Sequence, residues 1–140
     1  MEETLTFQIV KLYQQFVSYS KTQLQRVDLS FGLLQFVVFI GKQPGASQSQ
    51  MAAFLGTDAA YTTRAVEKLM ESGHVRREKS AQDKRVWVLY LTPKGEEAFL
   101  LAHEVFDQWD GRLMAGMSPK QRADCVLQLR QLRKAGKEDV

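Results

Sequence analysis

The run from Ser47 to Thr92 changes its hydrophobic period twice, and few folds accommodate that order. Ser47 stands three residues before Gln50, the spacing of a capping box. A short helix is therefore predicted over Gln48–Leu55, with Met51, Ala52 and Leu55 as its apolar face. Gly56 can take the positive φ that closes a helix, and Thr57 or Asp58 can cap the next one. That next helix, residues 59–72, directs Thr62, Ala65, Val66, Leu69 and Met70 inward. Ala60, Tyr61, Arg64 and Lys68 gather on another side at steps of one, three and four. Past Gly73 the period falls to two. Val75–Lys79 and residues 86–91 read as strands, the second rich in β-branched and aromatic residues. The polar tip between them, residues 80–84, lacks glycine, so a longer exposed loop is expected rather than a two-residue turn.

Two short helices around a tight turn have the layout of a helix-turn-helix, and a hairpin directly after it makes a winged helix. Charge supports that assignment. Of 19 Lys and Arg and 16 Asp and Glu, five basic and two acidic residues lie between Arg76 and Arg85, and the rest balance at 14 each. The whole positive excess sits on one hairpin, which suits a local polyanion contact better than a generally adhesive surface.

B-DNA admits one helix in its major groove, where base edges are read by side chains on a single helical face. Ala60, Tyr61, Thr63 and Arg64 are the candidates there. Arg64 is the expected direct reader, since a guanidinium can donate two hydrogen bonds to guanine O6 and N7. Lys68, one turn on, suits a phosphate. Ser47, Gln48 and Ser49 offer hydroxyls and free N–H groups to another phosphate at the start of the preceding helix. The competing account leaves Arg64 solvated or paired with Glu67 on an ordinary surface helix. On the hairpin, Arg77, Lys84 and Arg85 are the candidate contacts, with Arg85 the one expected to enter an A·T-rich minor groove. Asp83, two residues before it, can accept hydrogen bonds from the guanidinium and fix its direction.

The flanking segments are helical by period. In residues 2–25, Leu5, Ile9, Leu12, Phe16 and Tyr19 recur at three- and four-residue steps, a stripe read as core or subunit contact. Ser30 is the expected cap of a second, nearly all-apolar helix over residues 31–42, ended by the Gly- and Pro-containing loop of residues 41–45. Thr92-Pro93 begins a long helix to about Ala115 with the stripe Ala98, Ala102, Val105, Trp109 and Leu113. Ser118-Pro119 begins the last helix, with Cys125 or Val126, Leu129 and Leu132 on its apolar side. Both ends thus carry more large apolar residues than one small winged helix needs to cover itself.

No catalytic set can be assembled. The histidines are His74 and His103; His103 with Asp107 has the i, i+4 spacing of a metal pair but lacks further ligands nearby, so no metal or other cofactor is expected. The single cysteine, Cys125, excludes an internal disulfide, and its place on an apolar face fits a packed, inert thiol. The acidic N-terminus shows no secretory signal and the longest apolar run, residues 31–41, is too short for a membrane span, so a cytoplasmic protein is expected.

Asp83-Lys84-Arg85, followed by a strand and Leu91-Thr92-Pro93-Lys94-Gly95, resembles the wing signature of the MarR family of bacterial transcriptional regulators, Asp-x-Arg then Leu-Thr-x-x-Gly. Upstream, residues 62–69 and the run Gly73-His74-Val75-Arg76-Arg77 are similar to that family's recognition helix and its exit into the wing. His74 departs from the aliphatic residue usual there, and Tyr61 from a small polar one. The resemblance covers almost the whole chain. It implies a mainly α fold with a small β-hairpin wing: one domain over residues 1–140, with a DNA-binding core at 30–95. Residues 1–29 and 96–140 would then pair two copies over a pseudo-palindromic operator. It further implies a repressor released by a small aromatic acid or phenol, for which Tyr13, Phe16, Phe31 and Phe39 are the candidate lining. The alternative reading is a winged helix whose basic hairpin meets an acidic protein.

Overall fold

The structure is a computed structural model and describes residues 1–137. Residues 138–140 of the expected C-terminal pairing region lie outside the described residues. The chain order is α1 (Leu5–Leu24), α2 (Leu34–Lys42), α3 (Gln48–Leu55), α4 (Ala59–Glu71), β1 (Val75–Lys79), β2 (Trp87–Leu91), α5 (Pro93–Leu113) and α6 (Pro119–Gly136). This is the mainly helical winged-helix architecture expected, with one antiparallel hairpin. The described residues divide into two compact units, one up to Phe106 and one from Asp107 onwards.

Local signals account for most boundaries. Ser47 Oγ accepts the Gln50 N–H at 3.0 Å while the Ser47 N–H donates to Gln50 Oε1 at 2.9 Å, completing the capping box of α3. Gly56 closes α3 at φ 71°, and Asp58, rather than Thr57, caps α4 by accepting the Tyr61 N–H at 2.7 Å. Thr57 instead bonds Thr62, hydroxyl to hydroxyl, at 2.7 Å. Thr92 Oγ1 accepts the Gly95 N–H at 3.1 Å at the start of α5. In the second unit, Ser118 and Gln121 form a further capping box at the start of α6.

Several expectations need correction. Ser30 makes no side-chain cap; a 3-10 turn over Phe31–Leu33 precedes α2 instead. Gly41 belongs to α2, which runs on to Lys42. Met70 is 36% exposed rather than turned inward. β2 begins at Trp87, because the Val86 N–H is taken by the Asp83 carbonyl at 3.0 Å in the wing turn.

The core of the first unit is built on Leu24, Phe36, Val37, Ile40, Met51, Val66, Leu69 and Leu89, all fully buried or nearly so. α2 contributes most to it, as a helix apolar on nearly every side must. The segment before α3 also packs against the hairpin: the Gly45 N–H donates to Leu89 O at 2.8 Å and the Leu89 N–H to Ala46 O at 3.0 Å. With the bridge between Ser47 and Val88, these bonds fix the wing to the start of α3. α1 buries only its later half; Leu5, Ile9, Leu12 and Tyr13 are exposed. In the second unit Val126, Leu127, Leu129 and Leu132 of α6 are likewise exposed.

Candidate nucleic-acid interface

The exposed side of α4 carries Ala60, Tyr61, Arg64 and Lys68, as the helical spacing requires. Among the described residues neither Arg64 nor Lys68 has a carboxylate within 4.0 Å, so the expected alternative pairing of Arg64 with Glu67 does not form. Tyr61 keeps 39% of its surface exposed and sets its ring against Phe36, centroids 5.8 Å apart. Thr63 is half-buried and accepts a hydrogen bond from Gln48 Nε2 at 2.9 Å. Two residues expected to meet DNA separately are therefore joined across the turn, one on each helix. Ser49 is exposed at the first turn of α3, and Ser47 has its hydroxyl oxygen engaged in the cap.

At the wing tip Asp83 does to Arg85 what the two-residue spacing suggests. Arg85 Nε and Nη2 donate to the two carboxylate oxygens at 3.0 Å each, and the Arg85 N–H adds a third bond of 3.0 Å to Oδ1. This fork holds the Asp83 carboxyl below the usual carboxylate range and raises the guanidinium in turn. The Arg85 side chain stays 89% exposed, so its direction is set while its free N–H groups still face solvent. Lys84 is exposed beside it.

The hairpin register adds something that the charge count missed. Lys79 stands opposite Trp87 and Arg77 opposite Leu89, on the face that also carries Val75. The Arg77 guanidinium lies 4.2 Å and the Lys79 ammonium 3.8 Å from the centre of the Trp87 ring. The indole holds two cations side by side by cation–π attraction. On the other face Arg76 covers Tyr90 at 4.5 Å and pairs with Glu78 at 2.9 Å, so it is internally engaged. A tryptophan starting the second strand of a basic hairpin was the available signal, but only the cross-strand register says which cations it holds.

The ring residues Tyr13, Phe16, Phe31 and Phe39 come together around a cavity of about 590 Å³. Phe31 meets Tyr13 and Phe16 edge-on at 6.0 and 5.9 Å, and Phe39 faces Phe54 of α3 at 5.3 Å. Phe54, 77% exposed, belongs to this wall and is not apparent from helical period alone. His103 Nδ1 lies 3.1 Å from the Phe99 carbonyl oxygen, and no group of three metal-binding side chains occurs among the described residues. No single described helix is long and apolar enough to cross a membrane.

The MarR family model matches residues 34–87, from α2 to the first residue of β2. An HTH-type transcriptional regulator, BilQ, of Clostridium symbiosum is 37% identical over 134 residues, covering 96% of this chain and 93% of that protein. A MarR protein from Peptoclostridium difficile superposes with a TM-score of 0.85 at 21% identity, covering 96% and 88% of the two chains. Streptococcus pneumoniae FabT, in a structure with DNA, superposes with a TM-score of 0.82 at 23% identity, covering 93% of each. The chain belongs to the MarR family of winged-helix, DNA-binding transcriptional regulators.

Proposed function

We propose that two copies of this chain bind a pseudo-palindromic operator as a homodimeric repressor, each copy reading one half-site. Arg64 reads a base edge in the major groove, with Ala60 and Tyr61 beside it. Lys68, Ser47, Ser49 and the Gln48–Thr63 pair hold the adjacent backbone, Arg77 and Lys84 meet phosphates, and Arg85 enters the neighbouring minor groove. The observation that carries this reading is the fork by which Asp83 aims an exposed Arg85 from the wing, while Arg64 and Lys68 on α4 have no acidic partner. A guanidinium directed in advance loses less rotamer freedom on binding. DNA-bound FabT, with the same fold, supports the choice of duplex DNA as partner.

Pairing is supported by the exposed apolar residues of α1 (Leu5, Ile9 and Leu12) and, separately, of α6 (Val126, Leu129 and Leu132). Uncovered apolar residues in such number mark association surfaces. Residues 30–95 are the DNA-binding core in this reading, and the segments before and after them serve pairing. Release comes from a small aromatic ligand in the cavity walled by Tyr13, Phe16, Phe31 and Phe39.

Selection of bound duplexes from a random pool tests the whole reading. Inverted repeats are expected, with half-sites about one helical turn apart, and binding should weaken with a log–log salt slope of about −0.9 per phosphate neutralised. A lone protomer by sedimentation that ignores every duplex at low salt overturns it.

A further inference from the structure

The aromatic cavity has a second compartment beside it. A cleft of about 160 Å³ is lined by Ser30, Leu33, Arg64 and Lys68, and two further residues, Gly32 and Tyr61, line both spaces. Tyr61 belongs to α4, the helix expected to read bases, and its ring packs on Phe36 beneath the cavity. Gly32 lies in the 3-10 turn before α2, and a Cβ added there would meet nothing within 4 Å. No neighbouring atom demands a glycine here, and its lack of a side chain leaves the boundary between the two spaces low.

Charge differs between the compartments in a way that describes an occupant. Lys42 is the one ionisable group besides tyrosine on the cavity wall, where rings dominate. The cleft adds Arg64 and Lys68, and no acidic residue lines either space. Arg64 and Lys68 are four residues apart on α4 and so rise from neighbouring positions on one face. Two cations on one face with no carboxylate partner suit an anion at that point.

We infer that cavity and cleft form one bipartite site for an amphipathic aromatic anion. Its ring system lies among Phe31, Phe39 and Phe54, and its acid group passes Gly32 and Tyr61 to meet Arg64 and Lys68. Ligand and DNA then require the same two cations, and release is direct competition at α4 with no rearrangement between protomers needed. The competition rests on the proposed reading of α4 as the base-reading helix; the anion subsite does not.

Two fluorescent probes sharing one ring body separate these statements: 8-anilino-1-naphthalenesulfonate, an anion, and N-phenyl-1-naphthylamine, its neutral counterpart. The full chain should bind the sulfonate in preference to the neutral probe. Lys68→Gln and Arg64→Gln should each weaken the sulfonate about tenfold, the size of one lost charge-assisted hydrogen bond, and leave the neutral probe unchanged. Gly32→Leu, which keeps both cations and raises the boundary, should erase the preference for the sulfonate while the neutral probe still binds. Equal affinity for both probes, equal weakening of both in Lys68→Gln, or an undiminished preference in Gly32→Leu overturns the bipartite site. Selected duplex should displace the sulfonate competitively, and simultaneous binding overturns direct competition. If the chain binds no duplex but the probe results hold, the anion site stands and the DNA reading alone fails.

Discussion

Gln48 on α3 donates a hydrogen bond of 2.9 Å to Thr63 on α4, joining the two helices of the DNA-binding motif through their side chains. The bond lies beside Arg64 in sequence and beside the capping box of α3, so it sets the position of the phosphate-facing helix end against the base-reading face. A partly buried, neutral hydrogen bond of this kind contributes about 0.5–1.5 kcal/mol. Gln48→Ala and Thr63→Val should each lower stability to urea within that range. Because they remove the same bond, their effects should fall short of additive by a similar amount in a double-mutant cycle. Full additivity would show that the pair does not couple the helices.

Arg64 and Lys68 should separate in their consequences. Arg64→Ala should relax base choice at one position per half-site by about 1–3 kcal/mol, the worth of a bidentate contact to guanine. Lys68→Ala should weaken all duplexes alike and reduce the salt slope by about one unit. Binding to a panel of single-substitution operators at several salt concentrations reads both. If Arg64→Ala leaves base preference untouched, another residue of α4 faces the bases.

The wing-tip pair makes a prediction with a defined sign in pH. Arg85 holds the Asp83 carboxyl below its usual value of 3.8, so the fork is complete above that value and is lost as pH falls through the lower, folded one. Across the neutral range the orientation of Arg85 should therefore not vary with pH. Asp83→Asn removes the charge at all pH values and should weaken binding at A·T-rich flanks, by less than Arg85→Ala does. Fold stability should be almost unaffected, since both side chains are exposed and surface ion pairs contribute little. An Asp83→Asn protein with unchanged flank preference would show that the fork does not aim Arg85 at DNA.

The boundaries were legible where one or two neighbouring residues decide them. Ser47 with Gln50, Gly56, Thr92 with Pro93, and Ser118 with Gln121 each act within a single helical turn, and each stands where the spacing places it. The Asp83–Arg85 fork was legible for the same reason. Ser30 fails as a cap because the chain enters α2 through a 3-10 turn, a choice made by packing against α1. The Trp87 platform depends on which residue of β1 stands opposite, and the Gln48–Thr63 bond on how two helices cross. His74 depends on contacts still further away: its Nε2 meets the carbonyl oxygen of Val27, 47 residues earlier, at 2.8 Å. Distances of that kind are not written in local spacing.

The histidine that departs from the family pattern and the glycine that ends the wing signature meet in one place. His74 is fully buried, with Nδ1 2.6 Å from Ser72 Oγ and Nε2 2.8 Å from Val27 O. A carbonyl oxygen only accepts, so Nε2 carries the ring proton and Nδ1 accepts from the Ser72 hydroxyl. The ring thereby ties the end of α4 to the segment following α1. The His74 backbone carbonyl, in turn, accepts the Thr92 N–H at 3.0 Å. A Cβ on Gly95 would overlap that carbonyl oxygen, which gives the glycine of the Leu-Thr-x-x-Gly motif a steric cause. Gly95→Ala must push α5 away from the start of β1, and the obstruction is backbone that cannot rotate aside. A cost of about 1–3 kcal/mol is expected, as for other overpacked sites. His74→Leu keeps apolar volume but leaves the buried Val27 carbonyl without its donor, at about 1–3 kcal/mol. Both are read by urea unfolding of the full chain. A Gly95→Ala protein as stable as the parent would mean that the turn between β2 and α5 yields freely, and the motif's glycine would need another explanation.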